Sequence, residues 1–331
     1  MSALPEHDGP PRLRPRLAAA ARERVGVAEV ARLGSRLRTG VAAAVRMPAD
    51  ALEVVLATVL GGGHLLVEDH PGVGKTRLAS TLAHCLDGDF ARVQATVDLL
   101  PGDVVGTSVW LPQSGTFEFR PGPVFANVVL VDELNRATPK TQSGLLEAMQ
   151  ERQVTVDGRT RPIPPPFTVI ATQNPSAGRD GTYPLPPAQL DRFMTRISLG
   201  YPDAGEEVAL LRGAHEPPPA PVTRPERLLA AQHAVATVYA SDALLQYVVA
   251  ILNGTREHPL AEVGASPRAG VLLLSAARAR AALAARDHVL PDDVRALAPA
   301  VLSHRIHPTA AAAPDAQEQV VLDTLARVPA R

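Results

Sequence analysis

The sequence predicts an α/β protein in which a parallel-sheet domain is followed by a smaller, all-helical domain. Between residues 64 and 200, short apolar runs that end on polar residues alternate with segments of helical spacing, which is the pattern of a parallel sheet. One of these runs enters a glycine-containing loop typical of phosphate binding. Beyond Gly200 the apolar spacing is helical.

The composition is that of a globular protein with no bulk preference for polyanions. The chain has 331 residues, of which 46% are hydrophobic and 20% are charged, and this size suggests two domains. A net charge of −1 and only 3% aromatic residues give little footprint for nucleic acid. The single cysteine, Cys85, excludes an internal disulfide and shares a helical face with Leu78 and Leu82, so we expect it in the core.

We expect no membrane span and a cytoplasmic location. No apolar run approaches the ~18 residues of a transmembrane helix, and the Pro- and Arg-rich start lacks the apolar centre of a signal peptide.

Two helices are expected before the first strand, from Ala18 to about Arg38 and from Pro48 to Leu60, because Ala, Leu and Val recur there at helical spacing. Residues 1–16 are rich in proline and charge and show no periodicity. We therefore predict three parts of the chain. They are a disordered or helical arm over 1–30, the α/β domain over 31–200 and the helical domain over 201–331.

The central motif is the segment HLLVEDHPGVGKT, residues 64–76. After a short strand, Gly72 and Gly74 let successive backbone N–H groups approach one anion, and the next helix directs its N-terminus at the same anion. Lys75 is expected along the β- and γ-phosphates, and the Thr76 hydroxyl on Mg²⁺. The predicted phosphate-binding residues are Asp69, His70, Pro71, Gly72, Val73, Gly74, Lys75 and Thr76. Asp69 stands where the G-x-x-x-x-G-K-[ST] pattern has a glycine.

Carboxylates and an amide follow the later strands. The apolar run 127–131 ends on Asp132 and Glu133. An aspartate at such a strand end can hold Mg²⁺ or its water, and the next carboxylate can polarise an attacking water. A strand over 168–172 leads to Asn174, whose amide can lie near the γ-phosphate. Further strands are expected over 91–94 and 195–199.

Two hairpins interrupt this pattern. Within 98–123, a turn at 113–115 separates two strand-like segments that bring together Trp110, Phe117 and Phe119. Each ring could simply cover the sheet edge. The second hairpin, near 153–161, turns at Asp157-Gly158. Its basic residues favour a solvated face, with a pore or partner contact as the alternative; they are Arg152, Arg159 and Arg161.

In the helical domain, Ser266 and Pro267 are typical of an N-cap and a first helical residue. This places Arg268 in the first turn, where its side chain can swing toward a ligand.

Together these segments resemble the AAA+ ATPases and, within them, the MoxR family. The resemblance covers about residues 30–310 and rests on VEDHPGVGKT, DLLPGDVVGT, GPVFANVVLVDELNRATPKTQSGLLEAMQERQVTVDG, ATQNP, GTYPLPPAQLDRF and GASPRA. It implies Walker A roles for Lys75 and Thr76, Walker B roles for Asp132 and Glu133, sensor roles for Asn174 and Arg268, and an arginine finger at Arg192. It also implies a helix-2 insert near 98–123, a pre-sensor hairpin near 153–161 and an all-α lid. Ala188 departs from the glutamate that is usual there.

The resemblance implies an Mg²⁺-dependent ATPase that assembles as a homo-oligomeric ring, usually a hexamer, with nucleotide between subunits. It implies chaperone-like maturation of, or cofactor insertion into, a client protein that commonly bears a von Willebrand factor A domain. Two alternatives stay open because a shared fold does not fix function. One is a motor acting on nucleic acid, and the other is a nucleotide-gated scaffold, which the intact Glu133 disfavours.

Overall fold

The fold is given by a computed structural model that describes residues 25–69, 72–174, 182–201, 205, 208, 219–313 and 316–330. Most of the predicted arm, His70, Pro71 and most of residues 204–214 lie outside this set. None of the described helices combines the length and the hydropathy that a membrane-spanning segment needs.

Two helices precede the sheet, as predicted. They are α1 (Val27–Ala44) and α2 (Ala49–Leu60). Helix α1 continues six residues beyond the predicted end at Arg38, because Val41 and Ala44 extend its buried face. It ends where Val45 becomes extended, shortly before Pro48.

The next segment contains the first two strands and the first hairpin. Its elements are β1 (Leu65–Glu68), α3 (Lys75–Cys85), β2 (Phe90–Gln94), α4 (Pro101–Val105), β3 (Gly106–Leu111) and β4 (Thr116–Pro121). Strands β3 and β4 pair antiparallel and confirm the hairpin predicted in the insert.

The remaining strands of the sheet follow. The elements are β5 (Val128–Asp132), α5 (Pro139–Glu151), β6 (Gln153–Val156), β7 (Arg159–Pro162), β8 (Thr168–Gln173), α6 (Pro187–Leu190) and β9 (Thr195–Ile197). Helix α5 begins at Pro139, and the Thr138 side chain caps it. The β6–β7 turn has positive φ at Asp157 (52°) and Gly158 (71°), which confirms the primed turn.

Five parallel strands form the central sheet in the order β2-β5-β8-β1-β9. Alternate residues of β1 enter different cores: Leu65 and Val67 pack with α1, α2 and α3, whereas Leu66 packs with α5. The sheet is therefore covered by helices on both faces. Side chains of the sheet become accessible to a ligand at the strand ends. The predicted parallel α/β domain is confirmed.

The C-terminal part forms the lid. Its elements are α7 (Pro225–Ala236), α8 (Asp242–Arg256), β10 (Ala261–Val263), α9 (Pro267–Leu283), α10 (Pro291–Leu302), β11 (His307–Pro308) and α11 (Ala316–Arg327). The helical lid is confirmed, and it also contains the short antiparallel pair β10–β11, which helical spacing did not predict. The domain limits at residues 30 and 200 stay predictions.

The lid is joined to the helices ahead of the sheet. Helix α9 packs against α1 and α2, and Arg280 on α9 binds Glu53 on α2 at 2.7 Å. Asp293, whose side chain is fully buried, accepts hydrogen bonds from both Arg280 and Arg286. This network fixes the lid close to the sheet rather than on a free linker.

Candidate nucleotide-binding site

The loop after β1 has the backbone that phosphate binding requires. Gly72 and Gly74 have φ of 90° and 91°, with open space where a Cβ would lie. Glycine is therefore needed at both positions for its backbone conformation and not for lack of room. Gly74 precedes the first turn of α3, which directs unpaired N–H groups at the loop.

Lys75 is the first residue of α3, and its Nζ donates a hydrogen bond to the Asp69 carbonyl at 2.6 Å. Burial lowers the pKa of the Lys75 ammonium, and the carboxylates of Asp69, Asp132 and Glu133 oppose that shift. The ammonium thus lies among acceptors of the fold, at the position where phosphate oxygens are expected.

Asp69 explains the departure from the glycine pattern. Its buried carboxylate accepts hydrogen bonds from the Ser198 hydroxyl at 2.8 Å and from the Leu199 N–H, both just after β9. The side chain therefore connects the start of the phosphate loop to the neighbouring strand. The predicted role of Asp69 in phosphate binding remains a prediction, and the structure places only its carbonyl on Lys75.

Asp132 ends β5 as a buried carboxylate, and it binds the Arg92 guanidinium at 2.8 Å. An oxygen of Asp132 thus already has a cation as its partner at the position predicted for Mg²⁺. The donor set of one carboxylate with the nearby Thr76 hydroxyl fits a hard cation such as Mg²⁺.

Glu133 follows in the left-handed conformation, with φ 55° and ψ 47°, which is uncommon for a residue with a side chain. Its N–H donates to the Thr172 hydroxyl at 2.9 Å, and this bond from β8 holds the strained backbone in place. Its carboxylate accepts hydrogen bonds from Arg136 at 2.9 Å and from Gln94 at 3.3 Å.

These groups surround one cavity of about 380 Å³ at the carboxyl edge of the sheet. The lining residues are Gly72, Gly74, Lys75, Thr76, Arg77, Arg92, Gln94, Asp132, Glu133, Thr172 and Asn174. The structure therefore brings together the predicted Walker A, Walker B and sensor 1 residues that it describes.

Sequence reasoning missed several side chains in or near the cavity, among them Arg92, Gln94 and Arg136. Arg92 and Gln94 lie two residues apart on β2, so both leave the same face of the strand beside β5. This alternation of side-chain directions along β2 was the sequence signal that could have identified both residues. Arg136 gave no signal beyond its spacing of three residues from Glu133.

Arg192 and Arg268 lie at the opposite, amino edge of the sheet. The Met194 N–H donates to the His64 carbonyl at 2.8 Å, immediately before β9 and β1 begin. The Ser266 hydroxyl, two residues before Arg268, donates to Asp191 at 3.0 Å. Burial lowers the pKa of Arg192, and the positive charge of Arg268 lowers it further.

The four residues of β1 separate this edge from the phosphate loop, which is a distance of roughly 13 Å at ~3.3 Å per residue. The structure does not bring Arg192 and Arg268 to the cavity of their own chain, since neither lines it.

The basic hairpin is less basic at its surface than its sequence indicates. Arg152 points inward and donates to the carbonyls of Gly62 and Phe167, so the solvated face predicted for it is wrong. Arg161 folds back on the Val156 carbonyl and lies 4.0 Å over the Phe119 ring. Arg159 is exposed.

Residues 64–195 match the family described as "ATPase family associated with various cellular activities (AAA)", and residues 253–324 match the AAA lid domain. Protein YeaC of Bacillus subtilis is 48% identical over 77% of this chain and 81% of its own length.

Two further relatives carry the MoxR name. Chaperone MoxR1 of Mycobacterium tuberculosis is 42% identical, over 77% of this chain and 70% of its own. Protein MoxR of Methylorubrum extorquens is 33% identical, over 82% of this chain and 87% of its own.

A solved structure of a candidate ATPase from Cytophaga hutchinsonii superposes with a TM-score of 0.83 and 36% identity, covering 92% of this chain and 96% of that one. The matches extend across the phosphate cavity and the lid. The chain therefore belongs to the MoxR family of AAA ATPases, and it hydrolyses ATP.

Proposed function

We propose that this protein is an Mg²⁺-dependent ATPase that works as a ring and uses ATP hydrolysis to mature, remodel or load a cofactor into a client protein. The observation that carries the proposal is the division of the reactive groups between two edges of one sheet. The phosphate cavity lies at the carboxyl edge, and the two arginines that would stabilise transferred charge lie at the amino edge.

In the cavity, the Thr76 hydroxyl and the Asp132 carboxylate would hold Mg²⁺, which when bound neutralises charge on the phosphate oxygens. Because Arg92 binds Oδ2 of Asp132, the cation would bind Oδ1. Lys75 binds the phosphates, and Asn174 offers its amide to the γ-phosphate. Glu133 accepts the proton of the attacking water; because Arg136 and Gln94 both bind its Oε2, the accepting oxygen is Oε1.

The arginines at the amino edge would complete the site of a neighbouring subunit. A side chain of one subunit cannot cross its own sheet, but a second copy can present its amino edge to the first copy's cavity. AAA proteins assemble as oligomers, and we propose a hexameric ring in which Arg192 acts as the arginine finger and Arg268 as sensor 2. Ala188 is exposed on α6 near this edge and supplies no acidic contact there.

The hairpin β3–β4 supports a protein client. Trp110 and Phe117 form a cross-strand pair with ring centroids 5.0 Å apart, and they are 50% and 70% exposed. Exposed aromatic pairs are efficient contacts for protein surfaces, because each ring buries a large apolar area. The MoxR family implies a client with a von Willebrand factor A domain, and the cytosol, where ATP is abundant, as the compartment.

A motor on nucleic acid is the second candidate, because Arg159 is exposed on the pre-sensor hairpin. Arg152 and Arg161 are engaged within the fold, however, and the net charge is −1. Since phosphate binding depends on clustered Lys and Arg, little charge remains for it.

The test is the ATPase rate with a purified von Willebrand factor A-domain protein or with single-stranded DNA, at physiological salt. We expect the protein to stimulate hydrolysis, and the double variant Trp110→Ala/Phe117→Ala to lose the stimulation while keeping basal turnover. The matched control is Tyr239→Ala, which removes a ring that is 64% exposed on the lid. Stimulation by DNA that disappears in Arg159→Ala/Arg161→Ala would instead establish the nucleic-acid motor.

A further inference from the structure

Asp191, the residue before Arg192, is bound by two different parts of the lid. Its Oδ1 accepts a hydrogen bond from Arg305 Nε at 2.7 Å, and its Oδ2 accepts one from the Ser266 hydroxyl at 3.0 Å. Arg305 lies in the turn after α10, and Ser266 lies immediately before α9. One carboxylate therefore connects the loop that carries Arg192 to two elements that are distant in sequence.

Arg305 also fixes the backbone on both sides of Arg192. Its NH2 group donates to the Asp191 carbonyl at 3.2 Å and to the Phe193 carbonyl. Its NH1 group donates to the Met194 carbonyl at 3.4 Å. A guanidinium has five N–H donors in a rigid plane, so one buried side chain can hold several acceptors in a fixed arrangement.

Arg305 is a buried cation whose charge is retained. Its side chain is 2% exposed. Burial lowers its pKa to about 10, and the hydrogen bond and charge of Asp191 oppose that shift. The group is therefore protonated at neutral pH and can donate all of these hydrogen bonds.

Ser266 brings Arg268 into the same arrangement. Its hydroxyl oxygen accepts the Ala269 N–H at 3.1 Å as the N-cap of α9, while its proton goes to Asp191. Arg268 is the second residue of that helix. Through one serine, the Asp191 carboxylate sets the start of the helix that carries Arg268.

Arg192 and Arg268 are held in positions that are unfavourable for a positive charge. They repel each other, and Arg268 lies in the first turn of α9, where the helix dipole is positive. Glu147 and Glu151 on α5 offset part of this repulsion. Such an arrangement persists because the surrounding bonds hold it, and it becomes favourable when an anion approaches both guanidinium groups.

We propose that Arg305 is a positioning residue, which acts through Asp191 and the adjacent carbonyls to present Arg192 and Arg268 as one unit to the nucleotide of a neighbouring subunit. This inference rests on the proposed function, in which these arginines complete the neighbour's site.

The first test is Arg305→Lys, which keeps the charge but loses the planar set of donors. We expect kcat to fall about 10²-fold, since a displacement of about 1 Å at a reacting group has an effect of that size. The KM for ATP should be unchanged, because the cavity at the carboxyl edge of the same chain is intact.

Mixing Arg305→Lys with a second inactive variant then shows which edge of the sheet has lost its function. Arg305→Lys mixed with Lys75→Ala should recover ATPase activity, because a cavity from the first meets intact arginines from the second. Arg305→Lys mixed with Arg192→Ala should not recover, because neither subunit supplies a working pair. The reverse pattern would overturn the positioning role, as would full activity of Arg305→Lys alone.

Ser266→Ala keeps the inference testable if the Arg305 variant does not fold. Losing one hydrogen bond to a charged group should lower kcat about tenfold. The matched control is Ser241→Ala, which removes the equivalent N-cap of α8 but has no contact with Asp191. Equal effects of the two serine variants on kcat would show a stability effect only and would overturn the proposal.

The reference for all mixtures is Arg192→Ala with Lys75→Ala. If this pair recovers activity while the Arg305 mixtures behave in the reverse way, the proposed function stands and only the positioning role fails. If the reference pair does not recover, the finger in trans itself is wrong.

Discussion

The carboxyl edge of the central sheet holds Lys75, Asp132 and Glu133 around a cavity of about 380 Å³, whereas the amino edge holds Arg192 and Arg268 beside the lid. Under the proposed function, the first edge offers a hard-cation site, a phosphate loop and a carboxylate base. The second offers two cations that repel each other until an anion arrives. Each edge therefore has the chemistry that the other lacks, and two copies of the chain can combine them.

The two edges are also held together differently. At the carboxyl edge, the decisive geometry is local: positive φ at Gly72 and Gly74, and a helix that begins at Lys75. At the amino edge, Asp191 depends on Arg305, which is 114 residues away in sequence. Under the proposed function, the lid therefore contributes to catalysis by organising this edge.

The largest expected effect is at the amino edge. Arg192→Ala should lower turnover roughly 10³–10⁵-fold, the range for an arginine finger, while ATP binding in its own cavity is retained. Steady-state hydrolysis and calorimetric ATP titration measure the two effects. Arg38→Ala, which removes an exposed arginine on α1, is the control.

The comparison of edges fails if Arg192→Ala also abolishes ATP binding. It fails equally if mixed rings of Arg192→Ala and Lys75→Ala, verified as mixed by native mass spectrometry, show no recovered ATPase activity.

The carboxyl edge should respond differently, because its residues act within one chain. Lys75→Ala should lose nucleotide binding, and Glu133→Gln should keep binding but lose roughly 10²–10⁴-fold in turnover, as expected when a general base is removed. Isothermal titration and phosphate release distinguish the two. The controls are Lys140→Ala and Glu262→Gln, which change exposed residues of the same types. Normal turnover of Glu133→Gln would show that Glu133 is not the general base.

The smallest expected effect concerns Asp69. Asp69→Gly restores the glycine of the usual pattern, yet it removes the hydrogen bonds to Ser198 and Leu199. We expect the free energy of unfolding to fall by about 1–3 kcal/mol, because the buried Leu199 N–H loses its acceptor. Urea denaturation measures this change. Ser198→Ala removes one of these bonds and should cost about 1 kcal/mol. An Asp69→Gly protein as stable as its parent would show that the loop is held by other contacts.

The sequence alone determined the phosphate loop, the Asp132–Glu133 strand end and both hairpins, because each depends on contiguous residues. A strand, a turn with glycine at positive φ and a capped helix are encoded within about a dozen positions, so their signals survive without tertiary knowledge. The parallel sheet followed from the same local patterns, and so did the buried position of Cys85, whose thiol pKa burial raises to about 11.

Only the tertiary structure decided which side chains meet across the fold. Arg92 pairs with Asp132, Arg152 and Arg161 turn inward, and Asp69 binds the end of β9. A charged side chain in a sequence has many possible partners of similar energy, and burial selects among them, because an unpaired buried charge is far more costly than an exposed one. The distance between Arg192 and the cavity is also decided by the tertiary structure. Arg192 follows the sensor strand in the sequence, but the parallel direction of β9 places it at the edge remote from the cavity of its own chain.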